Sequence, residues 1–237
     1  MDASRKPPGP RKRVLIIGAG GHGRVVLDIL QQDGIHAPVG FLDNNPAIQG
    51  RRVDGLPVHG GVGDLKRIHA ELDIAGVIIA IGDNGTRRAL ARQADAAGIE
   101  LVNAIHPAAT LAMTTTLGRN VVICAGAVVC DHCQIGSSVI LNTGCIVDYQ
   151  TMIGEGSHIC PGVRIGGRVK VESGAFVGIG ATVIPNVTLG CECIIGAGAV
   201  VIEDVPSLCT VVGVPGRQVK LASASEDVAA MLLPARP

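Results

Sequence analysis

From Ile105 onward the chain repeats every six residues. Ile105, Leu111, Leu117, Ile123, Val129, Ile135, Leu141, Val147, Ile153, Ile159, Ile165, Val171, Val177, Val183, Leu189, Ile195 and Val201 are all Leu, Ile or Val. Four residues after each, the side chain is small or β-branched, as at Ala127, Cys133, Val139, Cys145, Val163, Ala175 and Cys193. Alternate positions of a strand point to one face, so these two series predict two inward rows. A hexapeptide period predicts a parallel β-helix. Three hexads make a triangular coil of eighteen residues, so residues 105–205 hold between five and six coils. The coils stack at roughly 4.8 Å. Gly often follows the aliphatic, as at Gly118, Gly136, Gly154 and Gly178. It is expected there to supply turn conformations that other residues would strain.

The first half of the chain has a different pattern. Arg13–Gly18 is a continuous apolar strand, followed by Gly18-Ala-Gly20-Gly21-His22-Gly23 and then helical spacing over Arg24–Gln32. Further strands are predicted at Val39–Asp43, Gly76–Ile81 and Leu101–Ile105, with a helix over Thr86–Ala97. Strands alternating with helices predict a parallel α/β sheet, half the size of a full dinucleotide fold. Ligands of such sheets sit beyond the carboxyl ends of the strands. The loops at Gly20–His22, Asp43–Asn45 and Gly82–Asn84 lie there. The expected organisation is a lead at 1–12, disordered and rich in Pro and basic residues, an α/β domain at 13–104, a β-helix at 105–217 and a tail at 218–237. Ser223–Pro237 has a short helical look and no assignable role.

Gly18, Gly20 and Gly23 match G-x-G-x-x-G, and Asp43 lies twenty residues past Gly23. That combination is the dinucleotide fingerprint with its ribose acid, which makes an NAD-binding protein one reading. A second reading is a sugar nucleotide, because a Gly-rich loop at a helix N-terminus binds any phosphate. A third is a tight turn without a ligand.

Composition narrows the classes. Hydrophobic residues make up 47% of the chain, yet there are one Tyr, two Phe and no Trp. The interior must therefore pack with aliphatic and small residues, which suits a narrow, regular core. Formal net charge is zero, so nucleic acid is not an expected partner. Base-stacking aromatics are missing as well. No run approaches eighteen apolar residues, so no membrane span is expected. Eight Cys without a secretion signal point to reduced thiols in a cytoplasm. Cys130-Asp-His132-Cys133 invites a zinc reading, but Cys133 falls on the inward row with Cys145 and Cys193. Thiols there act as small hydrophobes, and no metal is expected.

A half-sized α/β domain with Gly-Ala-Gly-Gly-His-Gly, joined to a hexapeptide β-helix, resembles the sugar O-/N-acyltransferase family. That family includes bacillosamine and perosamine N-acetyltransferases and the sialic acid O-acetyltransferase. Its further marks are Phe41-Leu-Asp43-Asn44, Ala80-Ile-Gly-Asp-Asn84, Asn103-Ala-Ile-His106-Pro107, Asn142-Thr-Gly144 and Gly213-Val-Pro215, within residues 13 to about 218. The resemblance implies a left-handed β-helix, a homotrimer with active sites between subunits, and acetyl-CoA as acyl donor. It implies transfer to the amino group of a nucleotide-linked sugar for surface glycan synthesis, with O-acylation as the variant chemistry. It places the nucleotide sugar on Gly20, Gly21, His22, Asp43, Asn44, Gly82 and Asn84. It places acetyl-CoA on His158, Ile179 and Ala197, the last two through the backbone.

The sequence departs from the family at the general base. The family has His followed by an acid; here Tyr149 and Gln150 stand in those places. A Tyr with pKa near 10 is a poor base at neutral pH. Three accounts follow. In the first, a neutral amine attacks the thioester and Tyr149 orients it or relays a proton. In the second, the base is His132 or His158. In the third, acyl transfer is lost and the protein binds a sugar nucleotide without chemistry.

Overall fold

The computed structural model describes residues 11–221. Of the expected lead, residues 1–10 lie outside the described residues, as does the tail from residue 222, which includes Ser223–Pro237. The chain divides into two compact units. One runs to Ile81 and includes Ala89–Pro107; the other is Gly82–Arg88 with the chain from Ala108 onward.

In the first unit, β1 (Lys12–Ile17), β2 (His36–Leu42) and β5 (Gly76–Ile79) form a parallel sheet in the order β2-β1-β5. Val14, Leu15, Ile16 and Ile17 are all fully buried, the continuous apolar run of a strand covered on both faces. The strands are joined through α1 (Gly21–Gln32), the short strands β3 (Arg52–Val53) and β4 (Leu56–Pro57), and α2 (Leu65–Leu72); α3 (Asn84–Ala96) follows β5. α1 buries Val26, Leu27, Ile29 and Leu30 on one stripe. Leu15, Ile17, Val77 and Ile79 share a core with Leu65 and Ile68 of α2 and with Ala91 and Ala94. α1 begins three residues before the expected Arg24, and α3 two before the expected Thr86.

The second unit is a left-handed parallel β-helix. Each short strand pairs with the strand eighteen residues on: Val129 with Val147, Val147 with Ile165, Ile165 with Val183. From Ile123 to Val201 the aliphatic series is no more than 3% exposed, so it is the inward row the period predicts. Three faces result. One carries Val122, Ile140, His158, Phe176 and Ile194 on its outer side. The second carries Thr110, Val128, Ile146, Arg164, Thr182 and Val200. The third carries Thr116, Gln134, Met152, Lys170 and Thr188. The stack closes with Cys209–Val212 and the antiparallel Arg217–Leu221.

The expected role of the glycines after the aliphatics is corrected. Gly154 does not occupy a left-handed conformation; a Cβ there would lie 2.6 Å from backbone atoms of Glu172 and Ser173 on the next coil. The requirement is close approach of stacked coils, not turn geometry. The left-handed corners lie elsewhere and are shared among Gly, His132, Ser138, Gln150, Arg168, Asn186 and Glu192. No helix among the described residues is long and apolar enough to cross a membrane.

Candidate active site

The Gly-rich loop leads from β1 into α1. A Cβ on Gly23 would lie 2.0 Å from the Gly18 carbonyl oxygen, so helix and strand approach as closely as backbone allows. Gly20 and Gly21 are exposed, with open space where a side chain would stand. No side chain caps the helix, so its first amides are presented for an anion. His22, half-buried, is the second residue of α1.

Asp43 ties this loop to the end of β2, and Asn44 ties the same segment to Val62. One Asp43 carboxylate oxygen accepts the Ala19 N–H at 2.8 Å and the other accepts the Asn45 N–H at 2.8 Å. Asn44 Oδ1 accepts the Val62 N–H at 2.9 Å, and Gln49 donates to the Asp43 carbonyl at 2.9 Å. The acid that the dinucleotide fingerprint assigns to a ribose is thus tied to the Gly-rich loop.

Gly82 and Asn84 belong to the second unit. Gly82 is exposed, and its carbonyl accepts Arg87 Nη1 at 3.0 Å. Asn84 donates to the carbonyls of Gly174 at 2.9 Å and Ala175 at 3.3 Å, and its Oδ1 accepts Arg87 Nη2 at 2.7 Å. Arg87 is fully buried and donates further to Ser138 O and Gly156 O, each at 2.8 Å. Burial lowers its pKa to about 10, with the nearby Asp83 charge opposing the shift. Sequence reasoning did not single out Arg87. A basic residue in a first helical turn is ordinarily solvated, and its carbonyl partners leave no side-chain signature.

On the β-helix, His158 is half-buried, its ring edge-on to Phe176 at 5.4 Å. Asn142 Oδ1 accepts the Thr143 N–H at 2.8 Å, which turns the Asn142 Nδ2 toward His158 Nε2 at 3.3 Å. With Asn142 Nδ2 as donor, Nε2 is the accepting nitrogen. Asn142 carried a signal only as part of the Asn-Thr-Gly mark.

Tyr149 lies at a corner, part-exposed. Its ring is laid along the next coil: a Cβ on Gly167 would be 2.5 Å from it, and the Arg168 guanidinium carbon lies 5.3 Å from its centroid. Arg168 also donates to Asn186 at 2.7 Å. Asp148 Oδ1 accepts the Tyr149 N–H at 2.8 Å. His132 occupies the same corner one coil earlier, its Nε2 3.4 Å from the exposed Asp131 carboxylate. The Gln150 N–H donates to Asp131 O at 2.8 Å, which joins the two corners. Ile179 and Ala197 are exposed at corners eighteen residues apart.

Cys133 is buried, with its Sγ 3.1 Å from the Asp148 carbonyl oxygen, and burial raises its pKa. No group of three or more metal-ligating side chains forms among the described residues.

The PglD N-terminal domain family model matches residues 13–94. A curated relative, UDP-N-acetylbacillosamine N-acetyltransferase of Bacillus subtilis strain 168, is 31% identical over 115 residues. That alignment takes in 48% of this chain and spans about half, 52%, of the curated relative. PerB of Caulobacter crescentus, solved with CoA and GDP-perosamine, is 39% identical. The match covers 87% of this chain and 97% of PerB, with a TM-score of 0.83. The acetyltransferase domain of PglB from Neisseria gonorrhoeae FA1090, solved with acetyl coenzyme A, is 33% identical. It is matched over 89% of this chain and 100% of that domain, again with a TM-score of 0.83.

Proposed function

Because the chain belongs to the sugar O-/N-acyltransferase family, we propose that it transfers acetyl from acetyl-CoA to the amino group of a nucleotide-linked sugar. The observation that carries this reading is the 39% identity over 97% of PerB, whose complex holds CoA and GDP-perosamine. The setting would be cytoplasmic, in the synthesis of a surface glycan, with three copies of the chain sharing the active sites.

The nucleotide phosphates would lie on the open N-terminus of α1 at Gly20, Gly21 and His22. Asp43 would act by holding the loop that receives them, since one of its carboxylate oxygens already accepts the Ala19 N–H, and Asn44 would brace the Asp43 segment against Val62. Gly82 would present its exposed backbone to the same substrate. The acyl donor would run past His158 and along the backbone at Ile179 and Ala197. Open space above Gly180 and Gly198 beside them supports that path.

The reaction joins the amine nitrogen to the thioester carbonyl carbon, breaks the C–S bond and releases CoA with the amine's proton. A neutral amine needs no base to become a nucleophile; it needs orientation. Tyr149 is suited to orient it, its ring held between Gly167 and Arg168. Asn142 occupies His158 Nε2, and His132 is exposed at an ion-paired corner, so both are weaker candidates for the base. The assay is direct. Purified protein is mixed with acetyl-CoA and UDP-, GDP-, dTDP- and CMP-linked amino sugars, and free CoA thiol and acetylated sugar are measured. One accepted sugar is expected, with Tyr149→Phe turning over more slowly. An unchanged rate in that variant removes Tyr149 from the mechanism.

The loss of both members of the His–acid pair favours one alternative, a sugar-nucleotide binding protein without turnover. In that case acetyl-CoA would leave the melting temperature unchanged, whereas a transferase is stabilised by its acyl donor. The same melt with NAD tests the dinucleotide reading, for which a shift with NAD is required.

A further inference from the structure

Ser138, Gly156, Gly174 and Glu192 occupy one corner of four successive coils. Each adopts a left-handed conformation, and the coils are linked by N–H donation from Gly156 to Ser137, Gly174 to Glu155 and Glu192 to Ser173. The segment Gly82–Arg88 engages all four. Arg87 donates to Ser138 O and Gly156 O, and Asn84 to Gly174 O. Arg88 pairs with Glu192.

Arg87 is fully buried, and its named hydrogen-bond acceptors are neutral carbonyls and the Asn84 amide. A buried charge is costly unless every donor is satisfied, and apolar packing tethers a helix more cheaply. What a planar five-donor fork adds is fixed geometry. That geometry converges on the backbone that carries His158. Gly156 O and Ser157 O, which receive Arg87 Nη2, immediately precede His158. Ala175 O, which accepts the backbone N–H of His158 at 2.9 Å, also accepts Asn84 Nδ2 at 3.3 Å.

We propose that Asn84 and Arg87 are positioning residues that set His158 against the Gly82–Asp83 loop. The inference rests on the proposed acyl transfer, in which His158 meets the acyl donor and Gly82 the acceptor. It reassigns Asn84 from substrate ligand to clamp.

The test uses the full chain with Arg87→Lys, Asn84→Ala and Asn84→Asp. Lys, with three donors, cannot reach the five acceptors of Arg87 at once, and Asp keeps a partner for Arg87 but removes the donor to Gly174 and Ala175. Misplaced reacting groups lower turnover while each substrate still binds, so kcat should fall about tenfold or more. The separately measured Kd for CoA and for the accepted nucleotide sugar should stay within about threefold. Backbone amide exchange should quicken at His158 and Ile159. Should Arg87→Lys fail to fold, the two Asn84 variants decide the matter. Wild-type kcat and wild-type exchange in them overturn the proposal, as does a loss that follows only melting temperature or both Kd values. If the wild type itself acetylates no nucleotide amino sugar, the reading of the function fails. The clamp then stands or falls on exchange at His158 alone.

Discussion

Six cysteines are buried, at positions 124, 133, 145, 160, 193 and 209; Cys130 is half-buried and Cys191 is exposed. Burial pushes the thiol of Cys124 up to about 11 and those of Cys145, Cys160 and Cys193 up to about 12. The ordinary value for a thiol lies near 9. A folded-state pKa above the unfolded value gives stability that is present below pH 9 and is lost as pH rises toward the folded values. At pH 10 each of the four should cost about 1.4 kcal/mol. Arg87 has the opposite sign. Its folded pKa is lowered to about 10 from 12.5, so it restores stability only above pH 10, within the alkaline range. Melting temperatures between pH 8 and 10 should therefore fall steeply above 9, and less steeply in Cys145→Ala. A flat profile would contradict the burial of these thiols.

Among elements, two glycines at similar spacing should behave differently. Alanine at Gly154 would drive its methyl into the backbone of Glu172 and Ser173, which the coil spacing holds fixed. Overpacking of that kind costs about 1–3 kcal/mol, readable by urea unfolding. The atoms nearest to an alanine methyl at Gly167 all belong to the Tyr149 ring, the far end of a part-exposed side chain. Its stability should hold within about 0.5 kcal/mol, while turnover should fall as in Tyr149→Phe. Full turnover in Gly167→Ala would show that the ring's placement does not matter. The hexads were legible because every inward position meets the same surroundings eighteen residues later, so the environment dictates residue type. The corners were not: His132, Gln150, Arg168 and Asn186 all take the left-handed conformation that composition would assign to Gly. The β3–β4 hairpin turns at Asp54-Gly55, both at positive φ, a dipeptide that signals such a turn. α2 is eight residues with two buried side chains, too short for its period to stand out. In the candidate site, the tight turn from β1 into α1 could be read from its glycines. The engagement of Asp43 with Ala19 and of Asn84 with Gly174 and Ala175 could not, because those backbone groups are brought in from distant sequence.

For the whole molecule, the three β-helix faces are not equivalent. The outer row Thr116, Gln134, Met152, Lys170 and Thr188 is largely polar and mostly exposed. The row with Val122, Ile140 and Ile194 is already buried at those positions. The remaining face carries Val128, Ile146 and Val200, each only half-buried in one copy, among Thr110, Arg164 and Thr182. Rows of β-branched side chains on a flat sheet can pack against like surfaces, and a cyclic trimer closes such contacts without leaving an open edge. For the homotrimer that the family resemblance implies, the mass from light scattering should be three times that of the chain. Ile146→Arg places a charge in that face and should reduce the mass toward that of a single chain. Gln134→Arg, on the polar face, should leave it unchanged. If, as proposed, the protein transfers acetyl at sites shared between copies, Ile146→Arg should lose that activity along with assembly, while nucleotide-sugar binding at the proposed Gly20–Gly21 loop survives. Transfer at the wild-type rate by a monomeric Ile146→Arg protein would place the whole site within one chain.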